Sequence, residues 1–143
     1  MNAKRADGRL HDELRPLSFE RDFTEMAAGS VLVSFGRTRV LCTASIDEDV
    51  PRWMKNSGKG WVLDVGKIDH GRAIDDADAD GGTRTASICG GYLALHDALS
   101  RLVQAGTIPT HPLTSLCAAI SVGIVDGTPV IDLPYVEDSG AEV

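Results

Sequence analysis

The chain has 143 residues, with 21 Asp and Glu against 14 Lys and Arg for a formal charge of -7. That length suits one domain burying about 68% of the unfolded chain's surface, which excludes a small scaffold dependent on disulfides. Hydrophobic residues at 43% and charged residues at 24% exclude disorder as the main state, and the acidic balance counts against binding to nucleic acid by bulk charge.

No run of about 18 apolar residues occurs, so no membrane-spanning helix or membrane partner is expected. The polar start at residues 1–9 lacks the apolar centre of a secretion signal, and a cytoplasmic location is the expectation. Cys42, Cys89 and Cys117 lie far apart in apolar runs, which reads as reduced, buried thiols without metal-ligand spacing.

Residues 5–22 read as an extended arm ending in a short strand, carrying Arg5, Arg9, Arg15 and Arg21 among leucines. Residues 30–35 and 38–46, rich in β-branched side chains and joined through Gly36 and Arg37, read as a β-hairpin. Arg52, Lys55 and Lys59 surround Trp53 and Trp61 in a loop loosened by Gly58 and Gly60. Residues 64–80 hold six aspartates and supply much of the negative charge. An amphipathic helix is predicted over 84–105, with Ile88, Tyr92, Leu95, Leu99 and Leu102 on its apolar face, Thr83 as N-cap and Gly106 as C-cap. Gly90 and Gly91 inside it each cost about 1 kcal/mol against alanine, so close backbone packing is expected there. Residues 117–125 and 130–133 read as a second hairpin turning at Asp126 and Gly127.

The strongest chemical pattern is Gly81-Gly82-Thr83-Arg84 at the helix start. Glycines let a ligand approach the backbone, first-turn amides lack intrahelical partners, and the helix dipole favours an anion. The Thr83 hydroxyl and Arg84 guanidinium could complete a phosphate cradle; the plain alternative is a capped helix with an exposed arginine. Asp76, Asp78 and Asp80 copy the first half of a calcium loop, but Ser87 stands where a bidentate glutamate is required, and a solvated acidic connection is the better reading. Asp132, Glu137, Asp138 and Glu142 could together hold a divalent metal or form a solvated tail. None of His11, His70, His96 and His111 has a nucleophilic partner at recognisable spacing.

Several words occur in one order: Arg5-Ala6-Asp7-Gly8-Arg9, Glu13-Leu14-Arg15-Pro16, Ala28-Gly29-Ser30-Val31-Leu32-Val33, Pro51-Arg52-Trp53, Gly60-Trp61, Ala79-Asp80-Gly81-Gly82-Thr83-Arg84-Thr85, Ser121-Val122-Gly123 and Asp132-Leu133-Pro134-Tyr135 with Glu137-Asp138-Ser139. On these the chain resembles bacterial ribonuclease PH. The resemblance implies an α+β fold of the ribosomal protein S5 domain 2-like kind, with antiparallel hairpins packed against helices, incomplete here. It implies phosphorolysis: inorganic phosphate attacks the last phosphodiester at an RNA 3′ end, typically of precursor tRNA, and releases a nucleoside diphosphate. It places phosphate on Gly82, Thr83 and Arg84, and Mg2+ or another divalent metal on Asp138, with Arg84 and Asp138 as the catalytic pair. It also implies a hexameric ring.

The same comparison predicts one domain over 1–143 with an internal deletion near 62–64, where the family carries an arginine-rich helix with a further phosphate-binding arginine. The family's second metal aspartate is expected beyond Val143. Two readings follow: a phosphate-dependent exoribonuclease, or a noncatalytic shortened relative that keeps the fold and binds phosphate or a ring partner.

Overall fold

The computed structural model describes residues 5–60 and 80–142. The acidic run up to Asp78, with the calcium-loop reading built on it, the Trp61 part of the Gly60-Trp61 word and the deletion near 62–64 all lie outside the described residues.

Three antiparallel strands, β1 (Leu17–Arg21), β2 (Gly29–Phe35) and β3 (Thr38–Ala44), form a sheet with β2 in the centre. The β2–β3 register pairs Phe35 with Thr38 across Gly36 and Arg37, and Gly36 takes φ 59°, the left-handed conformation that tight hairpins require. The predicted hairpin is therefore present, shorter by two residues at its far end. A 3₁₀ turn at Arg52–Met54 follows, and then the long helix α1 (Thr83–Gln104) lies across β2 and β3.

The helix starts one residue earlier than predicted. Gly82, in left-handed conformation, is its N-cap, and Thr83 is its first helical residue and makes no capping bond. At the other end Gly106 takes φ 73° just beyond the C-cap Ala105. The Gly106 amide donates to Val103 and the Thr107 amide to Leu102, so the left-handed glycine closes the last turn by a paired backbone motif.

The buried face of α1 is not the one its large side chains mark. Ala86, Cys89, Gly90, Ala94 and Ala98 are buried, whereas Ile88 is exposed and Tyr92, Leu95, Leu99 and Leu102 are half-buried. Small residues at four-residue spacing let the helix backbone reach the sheet. A Cβ on Gly29 would fall 1.9 Å from the Ala94 carbonyl oxygen, and one on Gly90 would fall 2.3 Å from Val33 Cγ2. Gly91 meets nothing within 4 Å, so the close packing predicted for the pair belongs to Gly90 alone. The resulting core joins Val31, Val33 and Phe35 to Cys42, Ala86, Cys89 and Ala94.

A second, two-stranded sheet joins β4 (Val122–Val125) to β5 (Thr128–Ile131) through Asp126 and Gly127, both at positive φ. It is shorter than the predicted hairpin, because residues 117–121 pair with no strand. The arm meets it where the Ile131 amide donates to His11. A single helical turn, α2 (Tyr135–Asp138), ends the described fold. All three cysteines are free; Cys42 and Cys89 are buried, but Cys117 is exposed, against the reading of three buried thiols. Among the described residues no helix is long and apolar enough to cross a membrane.

Candidate phosphate-binding site

The loop before α1 takes a shape that only glycine permits. Gly81 and Gly82 adopt φ 94° and 77°, and a Cβ on either would lie 2.7 Å from its nearest neighbour: the Tyr135 amide nitrogen for Gly81 and Arg15 Nη2 for Gly82. The first helical bond runs from the Ala86 amide to the Gly82 carbonyl at 3.0 Å, and Thr85 Oγ1 donates to the same oxygen at 2.9 Å. The amides of Gly82, Thr83 and Arg84 have no partner among the described residues. Successive amides in a left-handed then right-handed conformation form an anion-binding concavity, strengthened here by the helix dipole. Arg84 is exposed and its guanidinium bonds to none of the described groups. Gly82, Thr83 and Arg84 are thus brought together with free donors.

A buried ion network pins this loop from beneath. Asp80 Oδ1 accepts from Arg15 Nη1 at 2.7 Å and from the Thr38 amide at 3.2 Å, and Oδ2 accepts from the Arg37 amide at 3.3 Å. Arg15 is clamped in turn by Asp132, with Nη2 2.6 Å from Oδ1 and the Arg15 amide 2.7 Å from Oδ2. Asp132 is 0% exposed and also accepts from Arg9 at 3.1 Å. Burial pushes the Asp132 pKa up, but the bonds from Arg15 and the charges of Arg15 and Arg9 outweigh it and hold the carboxyl below its usual range. Asp80 behaves likewise: burial raises it, while the Thr38 hydroxyl, the Arg37 and Thr38 amides and Arg15 bring it below the usual range.

The C-terminal carboxylates do not form the cluster their spacing offered. Asp132 is consumed by Arg15 and Arg9, and Glu137 is buried against Arg5 at 2.8 Å. Asp138 is exposed, with a carboxylate free of partners among the described residues, and Glu142 joins a backbone bridge to Ile124. The turn that carries Asp138 begins at Pro134 and Tyr135, which abut Gly81. Among the described residues no group of three or more His, Cys, Asp or Glu could hold a metal. Magnesium is commonly held by one or two carboxylates plus substrate phosphates and water, and the described residues supply no all-protein cage for it.

The helix-start pattern pointed to Gly82, Thr83 and Arg84 as candidates, whereas Arg15, Asp80 and Thr38 beneath them carry no such signal. Asp80 lies 42 positions from Thr38 and 65 from Arg15, and no local pattern announces these pairs.

Residues 13–66 match the 3′ exoribonuclease family, domain 1, which sets the class of the protein. Ribonuclease PH of Mycolicibacterium smegmatis is 42% identical over 187 residues, taking in 99% of this chain and 72% of that protein. Ribonuclease PH of Mycolicibacterium gilvum is similar to the same extent, 42% over 187 residues with 99% and 72% covered. A crystal structure of rice (Oryza sativa) Rrp46 shares the fold, with a TM-score of 0.55 at 20% identity over 96% of this chain and 75% of that one. The chain belongs to the ribonuclease PH family of phosphorolytic 3′ to 5′ exoribonucleases, for which inorganic phosphate is a substrate.

Proposed function

We propose that the chain trims the 3′ end of precursor tRNA by phosphorolysis, in the cytoplasm, with Gly82, Thr83 and Arg84 holding the attacking phosphate. The observation that carries this reading is the pair of left-handed glycines leading into α1, followed by amides and an Arg84 guanidinium that have no partner among the described residues. A phosphate oxygen attacks the terminal phosphodiester phosphorus, the bond to the 3′ oxygen of the preceding nucleotide breaks, and a nucleoside diphosphate leaves. Phosphate is already the nucleophile, so the protein contributes positioning and charge neutralisation. The amides orient the oxyanion and Arg84 offsets its charge. A divalent cation bound at Asp138 would draw charge from the reacting phosphates.

A second reading, a noncatalytic relative that binds phosphate or a ring partner, is favoured by the single free carboxylate at α2. It is also supported by an alignment of 187 residues against a chain of 143, as an internal deletion requires. Assembly into a ring, hexameric as the resemblance implies, is supported by the exposed apolar side chains of Leu116, Val122, Tyr135 and Val136. Shortening of a precursor tRNA with and without inorganic phosphate separates the readings. Phosphate-dependent release of nucleoside diphosphate supports the enzyme; phosphate binding without release supports the noncatalytic relative.

A further inference from the structure

We propose that Arg15 is a positioning residue of the phosphate cradle, turning two successive peptide units so that their amides face the anion. The proposal deepens the reading above and rests on it. Arg15 cannot itself reach phosphate, because its side chain is 4% exposed. Its Nη1 instead lies 3.0 Å from the Asp80 carbonyl oxygen and 3.1 Å from that of Gly81, while Thr38 Oγ1 lies 2.8 Å from the latter. In a planar trans peptide the carbonyl and the following amide point in opposite directions. Drawing the carbonyls of Asp80 and Gly81 inward onto one guanidinium therefore turns the amides of Gly81 and Gly82 away from it.

The rest of the fork fixes where Nη1 stands. Nε lies 3.0 Å from Asp132 Oδ2, and Nη2 lies 2.6 Å from Oδ1 of the same carboxylate, so a bidentate pair orients the guanidinium plane. Two glycines make room for it: a Cβ on Gly36 would lie 3.0 Å from Arg15 Cδ, and one on Gly82 would lie 2.7 Å from Nη2. A lysine keeps the charge but concentrates its donors at one point, so it cannot grip Asp132 and both carbonyls together.

The test titrates the full 143-residue chain with inorganic phosphate and follows the amide resonances of Gly81, Gly82 and Thr83, in wild type, Arg15→Lys and Val31→Ala. Val31 is a core residue of β2 outside the loop and serves as a control for lost stability. Arg15→Lys is expected to weaken phosphate binding about tenfold, the equivalent of about 1.4 kcal/mol, and to change the amide shifts of Gly81 and Gly82 before phosphate is added. Val31→Ala, at a comparable loss of melting temperature, is expected to stay within about twofold of wild type. Arg15→Lys within twofold of wild type, or an equal loss in both variants, overturns the positioning role while leaving the cradle standing. No phosphate response in wild type overturns the proposed function and this inference together. Should Arg15→Lys fail to fold, Thr38→Val removes the hydroxyl that lies 2.8 Å from both the Gly81 carbonyl oxygen and Asp80 Oδ1 and so loosens the same two peptide units; it is expected to weaken phosphate about threefold, and unchanged affinity overturns the proposal.

Discussion

Replacing Asp132 by Asn tests whether the charge under the loop stabilises the fold. The carboxylate is fully buried and takes the Arg15 amide at 2.7 Å, Arg15 Nη2 at 2.6 Å, Arg15 Nε at 3.0 Å and Arg9 Nη1 at 3.1 Å. Asn retains one acceptor oxygen but turns an amide group toward the guanidinium and leaves two cations short of a counter-charge. Removing one partner of a buried pair costs about 3–5 kcal/mol. The lower end applies, because Arg15 keeps Asp80 at 2.7 Å and Arg9 keeps Asp7 at 2.6 Å. A loss of about 3 kcal/mol corresponds to a fall of about 10 °C in melting temperature for a chain of this size. The Asp132 pKa is lowered in the folded state, so its stabilisation is fully present above the unfolded carboxylate pKa of about 3.9 and is lost as pH falls through the folded value. The gap between wild type and Asp132→Asn is therefore expected to be widest near neutrality and to close on acidification. Urea denaturation at a series of pH values measures it. A gap under about 1 kcal/mol at pH 7, or one that persists unchanged into acid, would refute the argument that ionised Asp132 anchors the arm to the loop.

Arg84→Ala should abolish phosphate-dependent nucleotide release while moving stability by no more than about 0.5 kcal/mol, since the guanidinium is exposed and has no partner among the described residues; retained release in the tRNA assay would sink its role. The two helix glycines should respond oppositely to alanine. Gly90→Ala forces a Cβ to 2.3 Å from Val33 Cγ2 and 2.7 Å from Cys42 Sγ, costing about 1–3 kcal/mol, whereas Gly91→Ala enters open space and gains about 0.5–1 kcal/mol, both read by thermal melting. Native-state alkylation mapped by mass spectrometry should label exposed Cys117 first and spare Cys42, whose thiol burial and the neighbouring Cys89 push up to about 11. Equal labelling of both would contradict the packing of α1 on β3.

The hairpins were legible because their turns are written in consecutive residues: Gly36 and the Asp126-Gly127 pair take the positive φ that the connections need. The start of α1 was legible to within one residue for the same local reason. Its buried face was not. Ile88, Tyr92, Leu95, Leu99 and Leu102 mark the more hydrophobic stripe, but a sheet that approaches until Gly29 abuts the Ala94 carbonyl leaves room only for Ala86, Gly90, Ala94 and Ala98. Pattern reading weighs hydrophobicity, while this interface selects for small size. The same limit applies to charge. The value of -7 is unchanged by pairing, since each ion pair removes one charge of each sign, so the count could not reveal that Arg5, Arg9 and Arg15 are turned inward against Glu137 and Asp132. The arm ties the strand end at Asp132 to the loop at Asp80, through an Arg15 bonded to both carboxylates. What the helix start presents to solvent is Arg84, while Arg15 beneath the loop is spent on Asp80 and Asp132.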